Sequence, residues 1–207
     1  MRPMGTNVQQ IDECAGQPLV PLLADDAFNP RMKAVADRAL RRAGRLPNSA
    51  RALANAGDLG AATRAFFEDI WEMGTLPKAM RLLIRYKVSS INACLYCATH
   101  QRHFLEKLGV PAGKIDHIQD SDHHPAFDER ERAALEFAQA LTIDPANISP
   151  TIQSRFVAAF NAAERTEIAI VAAAMGFLNA FNDGMKIPVE NEVLDIAMEI
   201  ETKLTAS

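Results

Sequence analysis

Apolar residues recur every three to four positions along the chain, in stretches separated by glycine, proline and short polar runs. That is the periodicity of helices rather than strands. Asn29 before Pro30 reads as an N-cap followed by a first-turn proline, opening a helix that Gly44 ends. A shorter helix follows Pro47 and ends near Gly57. Asp58 is placed to cap the next, whose apolar face includes Phe66, Phe67, Ile70 and Trp71 and which Gly74 stops. Pro77 opens a helix with Leu82, Leu83 and Tyr86 on one buried face, breaking around Asn92 and Ala93. Leu95 to Leu108 is then a new helix, closed by Gly109.

The same reading gives a short helix after Pro111, a polar loop from Gln119 to Pro125, and a helix capped by Asp128 that reaches about Leu141. Ser149 and Pro150 start another. Thr166 is placed to cap a long Ala-rich helix reaching Asn182, with Ile170, Val171, Ala174, Leu178 and Phe181 packed at the centre. Pro188 precedes a terminal amphipathic helix carrying Val193, Ile196 and Ile200. The fold class is therefore all-α. Residues 1–28 lack periodicity and read as an arm lying on a neighbour, and residues 29–207 as a single all-helical domain.

Composition narrows the function. With 48% hydrophobic residues in 207, the chain can bury a sizeable core. A net charge of -4, with Lys and Arg scattered, gives no electrostatic reason for a nucleic-acid or anionic-membrane partner. Met1 to Gln10 hold no apolar run, and the most apolar stretch, Ile168 to Ala174, is too short to cross a bilayer, so a soluble, cytoplasmic protein is expected. Three cysteines, Cys14, Cys94 and Cys97, are too few and too odd a count for a disulfide scaffold. A Cys-x-x-Cys pair in such a protein points to metal or redox chemistry.

The pair falls at the first turn of the Leu95–Leu108 helix, where unsatisfied N–H groups and the positive dipole end favour a thiolate. Two cysteines three apart there suit a cycle in which one sulfur attacks an oxidant and the other resolves the sulfenic acid. Zinc needs four ligands. Cys94, Cys97, His100 and His103 form a three-residue series, but on one helix they fan over about half the circumference and cannot converge on one ion. A metal site would need His123 or His124 from the polar loop, and neither a metal nor an organic cofactor is expected.

The run Val88-Ser-Ser-Ile-Asn-Ala-Cys94-Leu-Tyr-Cys97-Ala-Thr-His100, continuing to Leu108-Gly109-Val110, resembles the core motif of the alkylhydroperoxidase D-like proteins, which share a domain with carboxymuconolactone decarboxylases. Leu76-Pro77, the segment Phe127-Asp-Glu-Arg-Glu-Arg-Ala-Ala-Leu-Glu-Phe-Ala and the ending Phe181-Asn-Asp-Gly-Met-Lys-Ile-Pro188 match the family's rhythm, so the resemblance covers residues 76–188. It implies an AhpD-like helical bundle with the thiols at the N-terminus of a central helix, homo-oligomers, and reduction of a small peroxide with an external dithiol reductant. It also implies that Cys97 is peroxidatic and Cys94 resolving, whereas the dipole argument pulls towards Cys94, the sulfur nearer the helix start.

Two positions depart from the family. Its relay histidine corresponds to Gln101 and its relay glutamate to Leu82, neither of which transfers a proton. His100, one residue early, is the candidate substitute, and Glu68, Asp69 or Glu72 the candidate acids. Three readings follow: a thiol peroxidase or related dithiol oxidoreductase; a lactone decarboxylase or lyase, which needs no cysteine pair; and a non-catalytic redox sensor, which the missing relay favours. Tyr96 is expected to pack rather than react, Trp71 with Phe66 and Phe67 to be core or oligomer contact, and Asn179, Asn182 and Asp183 to serve capping.

Overall fold

The structure is a computed structural model that describes residues 17–205. Within them are ten α-helices, three short 3-10 turns and no strand. The helices are α1 (Pro30–Ala43), α2 (Asn48–Leu53), α3 (Gly57–Glu72), α4 (Lys78–Ile91), α5 (Leu95–Lys107), α6 (Ala112–Asp116), α7 (Glu129–Ile143), α8 (Pro150–Ala159), α9 (Ala162–Gly184) and α10 (Leu194–Thr205). None is long and apolar enough to cross a membrane.

Several helix ends follow directly from their local sequences. Asn29 accepts the Met32 N–H at 2.7 Å, Pro30 follows it, and Gly44 closes α1 with φ at 70°, which an L side chain rarely adopts. Asp128 and Glu131 form a reciprocal capping box at α7. Two starts differ from the sequence reading. The turn at residues 54–56 runs straight into α3, so Asp58 lies inside the first turn and instead accepts a hydrogen bond from Asn29 at 2.9 Å. At α9 a capping box of Asn161 and Glu164 acts one turn upstream of Thr166, whose hydroxyl bonds back to the Ala162 carbonyl. Gly60 is required where α3 crosses α2, because a Cβ there would meet the Leu53 carbonyl oxygen at 1.8 Å.

Helix α4 is the axis. Every residue from Leu82 to Ser89 is buried, and α4 packs against α5, α7 and α9. Burial on all sides needs partners for its polar residues. Lys87 Nζ donates to the carbonyls of Ile118 and Gln119 at 3.0 and 2.9 Å, fixing the segment after α6. On α9 the buried stripe is Ile168, Val171, Met175 and Leu178, while Ile170 faces outward and is nearly half exposed. A smaller apolar cluster joins Phe28, Met32, Ala39 and Ala50 beneath α1 and α2.

The described part of the N-terminal segment lies on its own chain. Leu19 donates to the Met185 carbonyl at 3.0 Å, and Leu23 to that of Arg51 at 3.4 Å. The rest of the expected arm, with Cys14, falls outside the described residues.

Candidate active site

The thiols sit where α4 ends and α5 begins. Ala93, with φ at 53°, stands in the left-handed conformation; its N–H bonds the Ser90 carbonyl, and the Cys94 N–H bonds that of Ser89. This pair of bonds is a Schellman closure of α4. Cys94 is at once the last residue of that closure and the N-cap of α5, where its sulfur accepts the Cys97 N–H at 3.4 Å. Both cysteines are free thiols, and neither exceeds 2% exposure.

The sulfurs are electrostatically unequal. Burial alone would push the Cys97 thiol up, but hydrogen bonds from Cys94, Asn182 and Asn179 outweigh it and bring it below the ordinary cysteine value. Asn182 Nδ2 approaches Cys97 Sγ at 3.2 Å. The Cys94 thiol is pushed far up, first because it donates to Cys97 and then because it is buried. The backbone N–H at the helix start acts on Cys94 in the opposite sense and is outweighed.

Asn182 and Asn179 do not cap α9; both turn inward. Asn179 accepts from Asn92 at 2.8 Å and donates to the Ser89 hydroxyl at 3.2 Å, joining α9 to the α4 end. Asn182 continues the Ile168, Val171, Met175, Leu178 stripe. A polar residue on that apolar spacing was the available signal for a buried role.

His100 lines the same small cavity as Cys97, about 60 Å³, together with Arg45, Trp71, Gln101 and Phe104. Its ring nitrogens face the Tyr96 carbonyl and a Glu190 carboxylate oxygen, each at 2.7 Å. The second is a close contact outside linear hydrogen-bond geometry. The same carboxylate accepts the Asn48 N–H at 2.6 Å and the Tyr96 hydroxyl at 2.8 Å, and that hydroxyl in turn accepts the Ser49 N–H. Burial would raise the Glu190 carboxyl, yet these donors and the His100 ring hold it down at about 2. The network ties α2, α5 and the segment before α10 around the cavity.

Of the other candidates, Gln101 is buried with its side-chain oxygen unpartnered in the Cys97 cavity, and Leu82 belongs to the core. Glu68 is fully buried and paired with Arg64, which also lines that cavity; Asp69 and Glu72 pair with Arg38 nearer the surface. Trp71 carries the Arg85 guanidinium 3.5 Å over its ring, while Phe66 is exposed. His103 is partly exposed beside the Phe104 ring, His123 is exposed, and His124 stacks on His117. Among the described residues no three His, Cys, Asp or Glu side chains are gathered as a metal site requires.

Comparison with known proteins agrees with this architecture. The sequence pattern of the carboxymuconolactone decarboxylase family matches residues 57–140. The YnjA protein of Escherichia coli, itself uncharacterised, is 24% identical over 115 residues; that match takes in 56% of this chain and 63% of the relative's length. A Cys→Ala variant of the debrominase Bmp8, in complex with 2,3,4-tribromopyrrole, superposes with a TM-score of 0.78 at 27% identity, covering 88% of this chain and 96% of the other. An uncharacterised peroxidase-related protein of Ralstonia eutropha with the alkylhydroperoxidase AhpD core gives 0.75 at 20% identity, covering 85% and 94%.

Two outcomes test this geometry. Replacing Asn182 by Ala removes a donor from the Cys97 sulfur; the alkylation rate of Cys97 at pH 7 should fall by about tenfold, the equivalent of one hydrogen bond to a charged group. An unchanged rate would show that the donor does not hold the charge. Glu190→Gln tests the second network. A carboxyl depressed on folding stabilises the protein above its unfolded value and loses that contribution as pH falls towards 2. The variant should unfold in urea with roughly 2 kcal/mol less stability at pH 7, the gap closing below about pH 4. A gap constant with pH would contradict the assignment.

Proposed function

Because residues 57–140 match the carboxymuconolactone decarboxylase family and the chain has the alkylhydroperoxidase D fold, we propose that it is a dithiol oxidoreductase in which Cys97 attacks the substrate and Cys94 resolves the product. The observation that carries the reading is the unequal surroundings of the pair: Asn182 Nδ2 is directed at Cys97 Sγ at 3.2 Å, and hydrogen bonds lower the Cys97 thiol while the Cys94 thiol is raised. With a hydroperoxide, the Cys97 thiolate takes the terminal oxygen, the O–O bond breaks, and the alkoxide leaves as alcohol after gaining a proton. The Cys94 sulfur then attacks the Cys97 sulfenic acid, expelling water and closing the disulfide. The sum is one hydroperoxide and two thiols converted to alcohol, water and disulfide. A thiol reductant restores the pair.

A second substrate is favoured by the likeness to the debrominase, together with Leu82 and Gln101 at the relay positions and the Trp71 and Phe104 rings beside Cys97. Here the thiolate takes bromine from carbon, the ring carbon gains a proton, and Cys94 displaces bromide from Cys97 to give the same disulfide. The thiol chemistry is common to both readings, and only the atom transferred differs. The cysteine pair counts against a lactone lyase.

The test is turnover with dithiothreitol, following hydroperoxide loss and, separately, bromide release from a bromopyrrole. Cys97→Ser should abolish whichever activity is present. Cys94→Ser should retain a single oxidation event without disulfide formation. Full activity in Cys97→Ser would remove the proposal. Reversible disulfide formation with turnover of neither substrate would favour the sensor.

A further inference from the structure

The 60 Å³ space beside Cys97 adjoins a larger one of about 410 Å³, and the two share Trp71, Arg85 and Phe104 as walls. The larger space lies among the end of α3, α4 and the end of α5, and its rim residues Lys78, Lys107 and Leu108 are exposed. The three shared side chains therefore form a throat between solvent and the Cys97 sulfur. Cys94 lines a separate space, about 210 Å³, with no wall in common with either.

Volume divides the two spaces by role. The outer 410 Å³ falls within the roughly 300–1,000 Å³ of small-molecule sites, whereas the inner 60 Å³ admits only a reacting group. Gln101 Oε1 and Asn182 Oδ1 are buried acceptors on the inner wall without a hydrogen-bond partner among the described residues. An entering group that carries an O–H or N–H would satisfy them.

The outer wall is cationic. Lys78, Arg81, Arg85 and Lys107 meet one carboxylate there, Glu72, which Arg38 already holds at 2.9 Å. Arg81 is opposed by Glu167 at 3.8 Å and Arg85 lies over the Trp71 ring, but Lys78 and Lys107 form no ion pair among the described residues. Lys78 also stands in the first turn of α4, where no side chain caps the helix and no acid lies, so its charge adds to the positive dipole end. Leu82 belongs to the same wall. It occupies the position that the family resemblance gives to a glutamate, and leucine there removes a carboxylate that would repel an anion.

We propose that the outer space is an anion site, and that the substrate of Cys97 is an amphipathic carboxylate whose reacting group passes the throat while its charge stays with Lys78 and Lys107. Ile70, Leu82 and Leu108 supply the apolar wall for its body. The proposal rests on Cys97 as the attacking sulfur, and it applies to a hydroperoxide and to a bromoarene alike.

The test needs no turnover. In a Cys14→Ser background, Cys97 is alkylated at pH 7 with para-(bromomethyl)benzoate or with its neutral amide, and the modified site is confirmed by peptide mass. The ratio of the two rates, each taken relative to mercaptoethanol, cancels any change in the thiol itself. It should favour the carboxylate by about tenfold at low salt and fall as ionic strength rises. Lys78→Glu with Lys107→Glu should abolish or invert the preference. Lys78→Gln with Lys107→Gln, a milder change, should lower it in the same direction, and the salt series on the parent protein needs no variant. Arg31→Glu with Lys33→Glu changes net charge equally at exposed α1 positions that line neither space, and should leave the ratio within about twofold. Equal reactivity of the two reagents in the parent protein, or a shift no larger in the Lys78 and Lys107 variants than in the α1 variant, would overturn the proposal. If the ratio shifts as expected yet neither a hydroperoxide nor a bromopyrrole is turned over, the anion site stands and the oxidoreductase reading falls.

Discussion

A sulfur with 2% exposure can carry negative charge only if donors are directed at it. Cys97 has three: the Cys94 thiol, Asn182 and Asn179. They come from two constraints. Cys94 is placed by the turn between α4 and α5, Asn182 and Asn179 by the inward face of α9. The packing of α9 on α4 and α5 is therefore part of the chemistry, because it carries the amides to the sulfur.

The turn is the second dependency. Ala93 occupies a left-handed conformation that costs a non-glycine residue about 1 kcal/mol, and it persists because two backbone hydrogen bonds close α4 around it. The same turn ends α4 and caps α5 with Cys94, so the two sulfurs fall within one helical turn and each meets a different cavity. The turn thus sets the spacing of the sulfurs and the cavity each one lines.

Much of this was legible in the chain. The proline and glycine punctuation located nearly every helix, and Asn92-Ala93 was correctly read as a break because the Cys-x-x-Cys run starts a fresh period just beyond it. The cap of α9 was misplaced because Thr166 competed with a capping box whose Asn161–Glu164 reciprocity is visible only when both partners are weighed together. The amides were missed because an Asn near a helix end suggests capping, whereas here it lies on the buried stripe. The His100–Glu190–Tyr96–Asn48 network could not be read at all: Asn48 and Glu190 stand 142 positions apart, and no local pattern links them.

The asymmetry of the cysteine pair is the account's central claim, and thiolate absorbance at 240 nm tests it most directly. In a Cys14→Ser background, the reduced protein titrated from pH 4 to 10 should gain one thiolate per chain below about 8.5, the ordinary cysteine value. That signal should vanish in Cys97→Ser and survive in Cys94→Ser. Two thiols ionising together near the ordinary value, or a signal that follows Cys94 instead, would contradict it.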